Sequence, residues 1–594
     1  MIAGDPAATG RPGLLGSVWP FWVLFSAIYL MLRWPFVATG RFIDPDDELR
    51  LVQMRDLLAG QSWFDLHQYR IDPPGGVVMH WSRLVDAPLA AVQLLLRPLL
   101  GPALAEQIAT VIVPLGTFAV ILFLLSRLAA RLVDRDLAGY CAVIAGVSFP
   151  LASQVLPTRI DHHGWQIAAA LAALLGLVDR APRRGGALAG LSIAVGMAIS
   201  LELLPIAALF GAVLLLQALR GAEGRERIGA FLLAVWAGSV TAFALTRGTD
   251  LTNYCDAVSP VYLAAMTIVC AAGSSTAVFP RLTMPAYLLI LAASGGLALA
   301  AIAAINPQCL AGPFSSLDPL LGTLWYDRVA EGRPLFTMNG VLVTQWLVPP
   351  LMGLGAALVL WRRASGADRA LWLDYALVLA GTVLLGVVVT RSMALAAAFA
   401  AVPVAWLVRD AAQNLPKRRG IGQWAMSLAV PVLAIMPALP AQFALTGVEA
   451  LSAAPAKATA GAQPRAGNAP LQAQDLAAIG NLPRATIFAT FDIGPTLLRT
   501  THHSVVATGH HRGAVPMRDV MVAFIADPAA ARHIVVRHKA RYVILAPDLP
   551  EISNYREFAP RGLAVRLADG EIPDWLVPVP SATTARVKTF AVRY

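Results

Sequence analysis

Apolar runs of membrane-spanning length, or close to it, recur near 14–36, 103–126, 137–155, 165–179, 187–199, 203–219, 228–246, 259–273, 283–305, 343–361, 371–390, 392–408 and 423–446. Segments this long and this poor in charge satisfy their backbone polar groups in lipid only as helices or in a closed barrel, and runs of this length select helices. About thirteen spans follow. The chain is 57% hydrophobic and 14% charged with a mean hydropathy of +0.63, beyond the range of soluble proteins. A net charge of +10 could suit a nucleic-acid binder. The Lys and Arg, however, fall mainly in short turns between apolar runs, with no basic face interleaved with aromatics.

Those turns set an expected orientation. Arg127, Arg131 and Arg135 follow the second run, Arg180, Arg183 and Arg184 the fourth, and Arg220, Arg225 and Arg227 the sixth. Arg281 follows the eighth, Arg362 and Arg363 the tenth, and Lys417, Arg418 and Arg419 the twelfth. Basic turns face the cytoplasm, so the N-terminus is expected inside and the C-terminal region outside a bacterial inner membrane. The first run, Leu14 to Val37, exceeds a signal-peptide core and lacks a small-x-small cleavage site, and reads as a retained helix. Cys141 and Cys270 lie in apolar runs. Cys255 and Cys309 share the outer side, where a disulfide can form, and no Cys-x-x-Cys pair suggests zinc.

Ser200-Leu201-Glu202-Leu203-Leu204-Pro205 interrupts one long apolar stretch. Two readings stay open: a break lining a polar cavity in the membrane, or a tight external turn with Glu202 at its tip. The transmembrane domain is expected over 1–446, with external loops at 37–102 and 306–342. A linker rich in Ala, Pro, Gly and Gln is expected over 447–472, and a periplasmic α/β domain over 473–594. In that domain, strand-like runs at Ala485–Phe491, Ser504–Thr508 and Tyr542–Ala546 alternate with a helical stretch, Met517–Lys539.

Two clusters carry chemistry. Asp44-Pro45-Asp46-Asp47-Glu48 follows the first span, and Asp161-His162-His163 precedes the fourth, both on the outer side by the charge count. Carboxylates and imidazoles at a lipid boundary are costly to desolvate and are natural ligands for a divalent cation. A plainer account also fits each alone: Asp44 caps a helix with Pro45 at its first position, and Asp161 caps the fourth span. Thr501-His502-His503 and Gly509-His510-His511-Arg512 fit either a phosphate or sugar site or surface loops.

The order of these motifs resembles the catalytic subunits of oligosaccharyltransferases, membrane enzymes of the GT-C glycosyltransferase fold. Asp44-Pro45 and Arg50 stand as in that family's first external motif, and Tyr69 to Trp81 is similar to its Tyr-Pro-x-Gly plus His/Trp segment. Asp161-His162-His163 looks like its Asp-His-His-x-x-Glu motif, with Gln166 where the Glu would be. Thr490-Phe491-Asp492-Ile493-Gly494 replaces Trp-Trp-Asp-Tyr-Gly, which argues against an Asn-x-Ser/Thr acceptor.

The resemblance implies a GT-C fold of about thirteen transmembrane helices with a C-terminal α/β domain. It implies catalytic carboxylates Asp44 and Asp46, and Mn2+ or Mg2+ held by Asp44, Asp161 and His163. Substrate contacts are implied for Arg50, His80, Trp81, Glu331, Arg391 and Asp492, with Arg391 toward the donor phosphates. The expected activity is inverting, metal-assisted transfer of a sugar from a polyprenyl (pyro)phosphate to a glycan, lipid or protein acceptor at the periplasmic face. The alternatives are a metal-independent enzyme of protein-mannosyl or aminoarabinose transferase type, which chelator insensitivity would mark, and a non-enzymatic transporter of lipid-linked sugars.

Overall fold

The computed structural model describes residues 14–275, 282–414, 420–439, 441–442 and 471–594. Every one of the thirteen apolar runs holds a helix in its described part. Among the described residues, eight helices are long and apolar enough to cross a membrane: Gly16–Thr39, Arg83–Leu132, Leu201–Arg220, Ala222–Thr246, Met284–Ile305, Gly340–Arg363, Gly366–Val388 and Thr390–Asn414. Leu137–Val147, His163–Leu177, Pro260–Gly273 and Ile421–Ile435 are shorter apolar helices, and Pro182–Ile199 completes the set. The protein is therefore a multi-pass membrane protein. Exposed leucines such as Leu289 and Leu384 suit lipid rather than water. Arg281 and the Lys417–Arg419 run lie outside the described residues, as does the expected linker except for its last two positions.

The chain divides into two compact units. One comprises Met1–Trp34, Leu99–Leu310 and Glu331–Ser452, the other Pro35–Pro98, Ala311–Ala330 and Ala453–Tyr594. The long helix Arg83–Leu132 changes unit near Gly101, whose φ of 77° and ψ of 165° interrupt the helical path. A left-handed φ is open to glycine at little cost.

In the first unit the helices approach closely where the sequence supplies small residues. A Cβ on Gly186 would stand 2.2 Å from the carbonyl oxygen of Arg227, and one on Gly190 would stand 2.3 Å from that of Phe231. This small-xxx-small spacing lets Pro182–Ile199 lie directly on Ala222–Thr246. The basic turns converge on one carboxylate: Asp179 takes Arg131 at 3.3 Å and Arg184 at 2.7 Å, while Arg227 donates to its main-chain oxygen. Asp179 follows the end of helix His163–Leu177 and the Asp161 cluster stands at its start, so the basic turns and the acidic cluster occupy opposite ends of this bundle. Cys255 and Cys309 form a disulfide.

The Ser200 interruption is a turn between helices. Ser200 is extended, Leu201–Leu203 makes a single 3-10 turn, and Pro205 sits in the first turn of the helix that follows.

The second unit is built on a five-stranded sheet in the order Ser504–Val505, Thr486–Ala489, Tyr542–Leu545, Lys588–Val592, Leu576–Pro578. The first three strands run parallel and the last two are antiparallel additions that the sequence did not reveal. The expected helix over Met517–Lys539 is two helices, Ala514–Ile525 and Pro528–Arg537. Pro528 cannot continue the first, and Asp527 caps the second by accepting from the N–H groups of Ala529 and Ala530.

Residues 35–98 extend this sheet rather than forming a free loop. Val505 N–H donates to Arg70 O and Asp72 N–H to Val505 O, which covers the edge strand. The Arg70 guanidinium secures the junction by donating to the carbonyls of Leu498, Thr501 and His503. Glu48 pairs with Arg499 at 3.1 Å.

Candidate active site

Arg159-Ile160 leads into Asp161 just before the helix of the fourth apolar run, whose N-cap is His162 and whose first residue is His163. Asp161 is 4% exposed and His162 5%. One carboxylate oxygen of Asp161 lies 2.6 Å from His162 Nδ1, and the other lies 3.4 Å from His163 Nε2. Burial alone would lower the His162 pKa, but the adjacent Asp161 carboxylate, followed by Glu202, outweighs it and raises the value to about 9. Donor atoms of Asp161, His162 and His163 all lie within 4.8 Å of one another, close enough to share one ion, which would displace the proton that Asp161 holds on His162. A mixed oxygen and nitrogen set of this kind fits Mn2+ or Zn2+ better than Mg2+ or Ca2+, which favour all-oxygen shells.

The cluster continues sideways through the Ser200 turn. Glu202 Oε2 stands 3.8 Å from His162 Nε2, and its Oε1 accepts from Arg391 Nη1 at 2.5 Å. Glu331 Oε1 lies 3.6 Å from the same guanidinium nitrogen. Arg391 is placed by a short 3-10 turn, Thr390–Ser392, fixed where the N–H and Oγ1 of Thr390 both donate to Arg333 O. Four residues expected from the sequence or its resemblance are thus gathered in one unit: Asp161, His163, Glu331 and Arg391. Glu202 was not expected among them. Its only signal was a carboxylate beside a proline inside an apolar run.

The remaining expected residues belong to the second unit. Asp44 caps helix Pro45–Leu58 by accepting from Asp46 N–H at 2.9 Å, which bears out the capping reading without removing its carboxylate from chemistry. Asp46 Oδ1 receives His510 Nε2–H at 3.0 Å. Arg50 and Trp81 are almost fully buried: Arg50 pairs with Asp86 at 3.1 Å, and its guanidinium lies 4.9 Å from the Trp81 ring centre. Arg83 and Gln53 also bind Asp86, so this carboxylate anchors the packing beneath Asp44 and Asp46. The His80 and His511 rings lie 4.6 Å apart between centres and are tilted by 50°.

Of the two histidine pairs, His503 and His510 are buried, whereas His502 is exposed. His503 bonds Ile479 O, and Arg512 donates to Met79 O. Asp492 is exposed, whereas the main-chain N–H groups of Phe491 and Asp492 donate to buried Glu551, which also accepts from Tyr555 Oη at 2.6 Å. Burial and then the neighbouring Asp492 charge raise the Glu551 pKa well above the usual carboxylate range.

No protein-family model matches the sequence, and no curated protein matches it. The chain has the GT-C fold. The chain is similar in structure to the oligosaccharyltransferase of the archaeon Archaeoglobus fulgidus. Against its apo crystal structure the TM-score is 0.65 at 12% identity, over 96% of this chain and 74% of that one. Against its complex with an inhibitory peptide and a dolichol-phosphate the TM-score is 0.64, again at 12% identity over 96% and 74%. Its complex with Zn and sulfate gives 0.56 at 14% identity, over 96% and 73%. At these identities the likeness establishes the fold.

Proposed function

We propose that the protein is a membrane glycosyltransferase that moves a sugar from a polyprenyl phosphate or pyrophosphate to an envelope acceptor at the periplasmic face. The observation that carries this reading is the joining of Asp161, His162 and His163 to Arg391 through Glu202 in one unit. A cation-binding group and a guanidinium held side by side are what a departing phosphate requires. The archaeal relative in fold was solved with a dolichol-phosphate, and separately with Zn and sulfate, which supports both halves of the reading.

Asp161 and His163 would hold the cation. When bound, it would supply charge stabilisation to a leaving phosphate. Arg391 binds the same phosphate group, oriented by Glu202 and Glu331, which keep the guanidinium in one place before substrate arrives. Asp44, or Asp46 beside it, accepts the proton of the acceptor nucleophile. Attack from the face opposite the phosphate gives inversion at the anomeric carbon. His80 and exposed Asp492 contact the acceptor, while Arg50 and Trp81 hold the Asp44 helix in place beneath it. The segment Phe491-Asp492 lacks the tryptophans of a sequon-reading site, so the acceptor is a glycan, lipid or envelope protein without an Asn-x-Ser/Thr requirement.

The test is transfer by the full chain in lipid nanodiscs with a panel of polyprenyl-linked donors. Loss of transfer in Asp161→Ala and Arg391→Ala, and on chelation, is expected. Undiminished transfer in Asp161→Ala would sink the metal-assisted reading, and chelator insensitivity with loss in Arg391→Ala would favour the metal-independent class.

A further inference from the structure

The acidic and histidine motif departs from the family it resembles at Gln166, which is 5% exposed. Its amide lies between two fixed partners. The nitrogen is 3.3 Å from the main-chain oxygen of Ser200, and the oxygen is 3.4 Å from Nδ1 of His163. A carbonyl oxygen only accepts, so the amide nitrogen must face Ser200 and the amide oxygen must face the imidazole. The amide oxygen also only accepts, so His163 carries a proton on Nδ1. In a neutral ring the lone pair is then on Nε2, the nitrogen that stands 3.4 Å from an Asp161 carboxylate oxygen. Two donor atoms each about 2.1 Å from one ion stand roughly 3.0–3.5 Å apart, so this pair is already spaced as two ligands of a single cation.

We propose that Gln166 is a positioning residue of the cation site: anchored on the Ser200 carbonyl, it fixes His163 in the Nδ1-protonated tautomer and aims Nε2 at the ion. This rests on the metal reading of Asp161 and His163 given above. The departure from Glu then preserves the site, because an amide oxygen accepts from Nδ1–H as a carboxylate oxygen does. The amide adds a donor, which ties His163 to the turn that carries Glu202.

The experiment measures Mn2+ binding to the detergent-solubilised full chain by titration, and the nitrogen couplings of bound Mn2+ by electron spin-echo spectroscopy. Gln166→Leu should weaken Mn2+ binding roughly 10- to 100-fold, as loss of an outer hydrogen-bond partner of a ligating histidine generally does, and should diminish the imidazole coupling. Gln166→Glu, which keeps the acceptor, should bind within about threefold of the native chain and retain the coupling, distinguishing orientation of the ring from a packing role. Native affinity and coupling in Gln166→Leu, or a loss in Gln166→Glu as large as in Gln166→Leu, would overturn the proposal. Asp161→Ala separates the two levels. If it leaves Mn2+ binding intact, the metal reading fails; if it abolishes binding while Gln166→Leu does not, only the role of Gln166 fails.

Discussion

Arg391 Nη1 lies 2.5 Å from Glu202 Oε1, joining two turns 189 residues apart in the chain. Glu202 also approaches His162, so one carboxylate spans from the imidazole cluster to the guanidinium. The meeting of the two turns defines the candidate site.

Arg391 serves as a fixed, planar donor rather than a mobile charge. Replacement by Lys keeps the charge but loses the fork that spans Glu202 and a phosphate. Arg391→Lys should lower kcat/KM for the lipid-linked donor by on the order of 10²–10³, the usual cost of removing one oriented donor from a developing anion. Steady-state transfer with a short-chain donor analogue measures this, and a change below threefold would remove Arg391 from the phosphate site.

Asp161 touches both imidazoles, so its loss should affect the cluster more than either histidine alone. Asp161→Asn should reduce Mn2+ affinity at least tenfold and transfer at least 100-fold, both at the order-of-magnitude level, with yield and thermal stability nearly unchanged. Calorimetric titration beside an activity assay reads both quantities.

Asp86 is fully buried between Arg50 and Arg83. Truncating it strands two buried guanidinium groups, so Asp86→Ala should destabilise the second unit by ~3–5 kcal/mol. Thermal unfolding of the full chain followed by near-ultraviolet dichroism should show a lower midpoint. An unchanged midpoint would mean that the arginines find other acceptors.

Glu551 predicts a pH dependence whose sign can be worked out. Burial raises its folded pKa well above the ordinary carboxylate value of about 4.5, so the folded state binds the proton more tightly than the unfolded chain. Its contribution is fully present below about 4.5 and is lost as pH rises toward the higher folded value. Glu551→Gln, which keeps the shape and acceptor oxygen, should flatten the decline in stability with rising pH over that window. Parallel slopes for the two proteins would show that Glu551 does not titrate on unfolding.

The thirteen apolar runs were readable because a helix in lipid needs nothing beyond a sufficiently long uncharged segment, a property local to the chain. The parallel strands of the C-terminal sheet were readable as short β-rich stretches. The antiparallel pair Leu576–Pro578 and Lys588–Val592 was not, being too short to show alternation and defined by pairing of Lys588–Val592 with Tyr542–Leu545 on one side and with Leu576–Pro578 on the other. Pro528 was visible, yet the run around it looked like one helix because its apolar spacing survives the break.

What the sequence determined by itself was that apolar runs form helices, that the C-terminal region is α/β in character, and where the clustered carboxylates and imidazoles stand along the chain. Tertiary structure alone decided that residues 35–98 cover the sheet edge at Val505, that Asp179 gathers the basic turns, and that Glu202 stands between His162 and Arg391. Periodicity and composition report how each segment partitions between lipid and water. Which charged groups end up within hydrogen-bond distance depends on how the helices pack, and close packing at residues such as Gly186 and Gly190 follows from side-chain shape across segments distant in sequence.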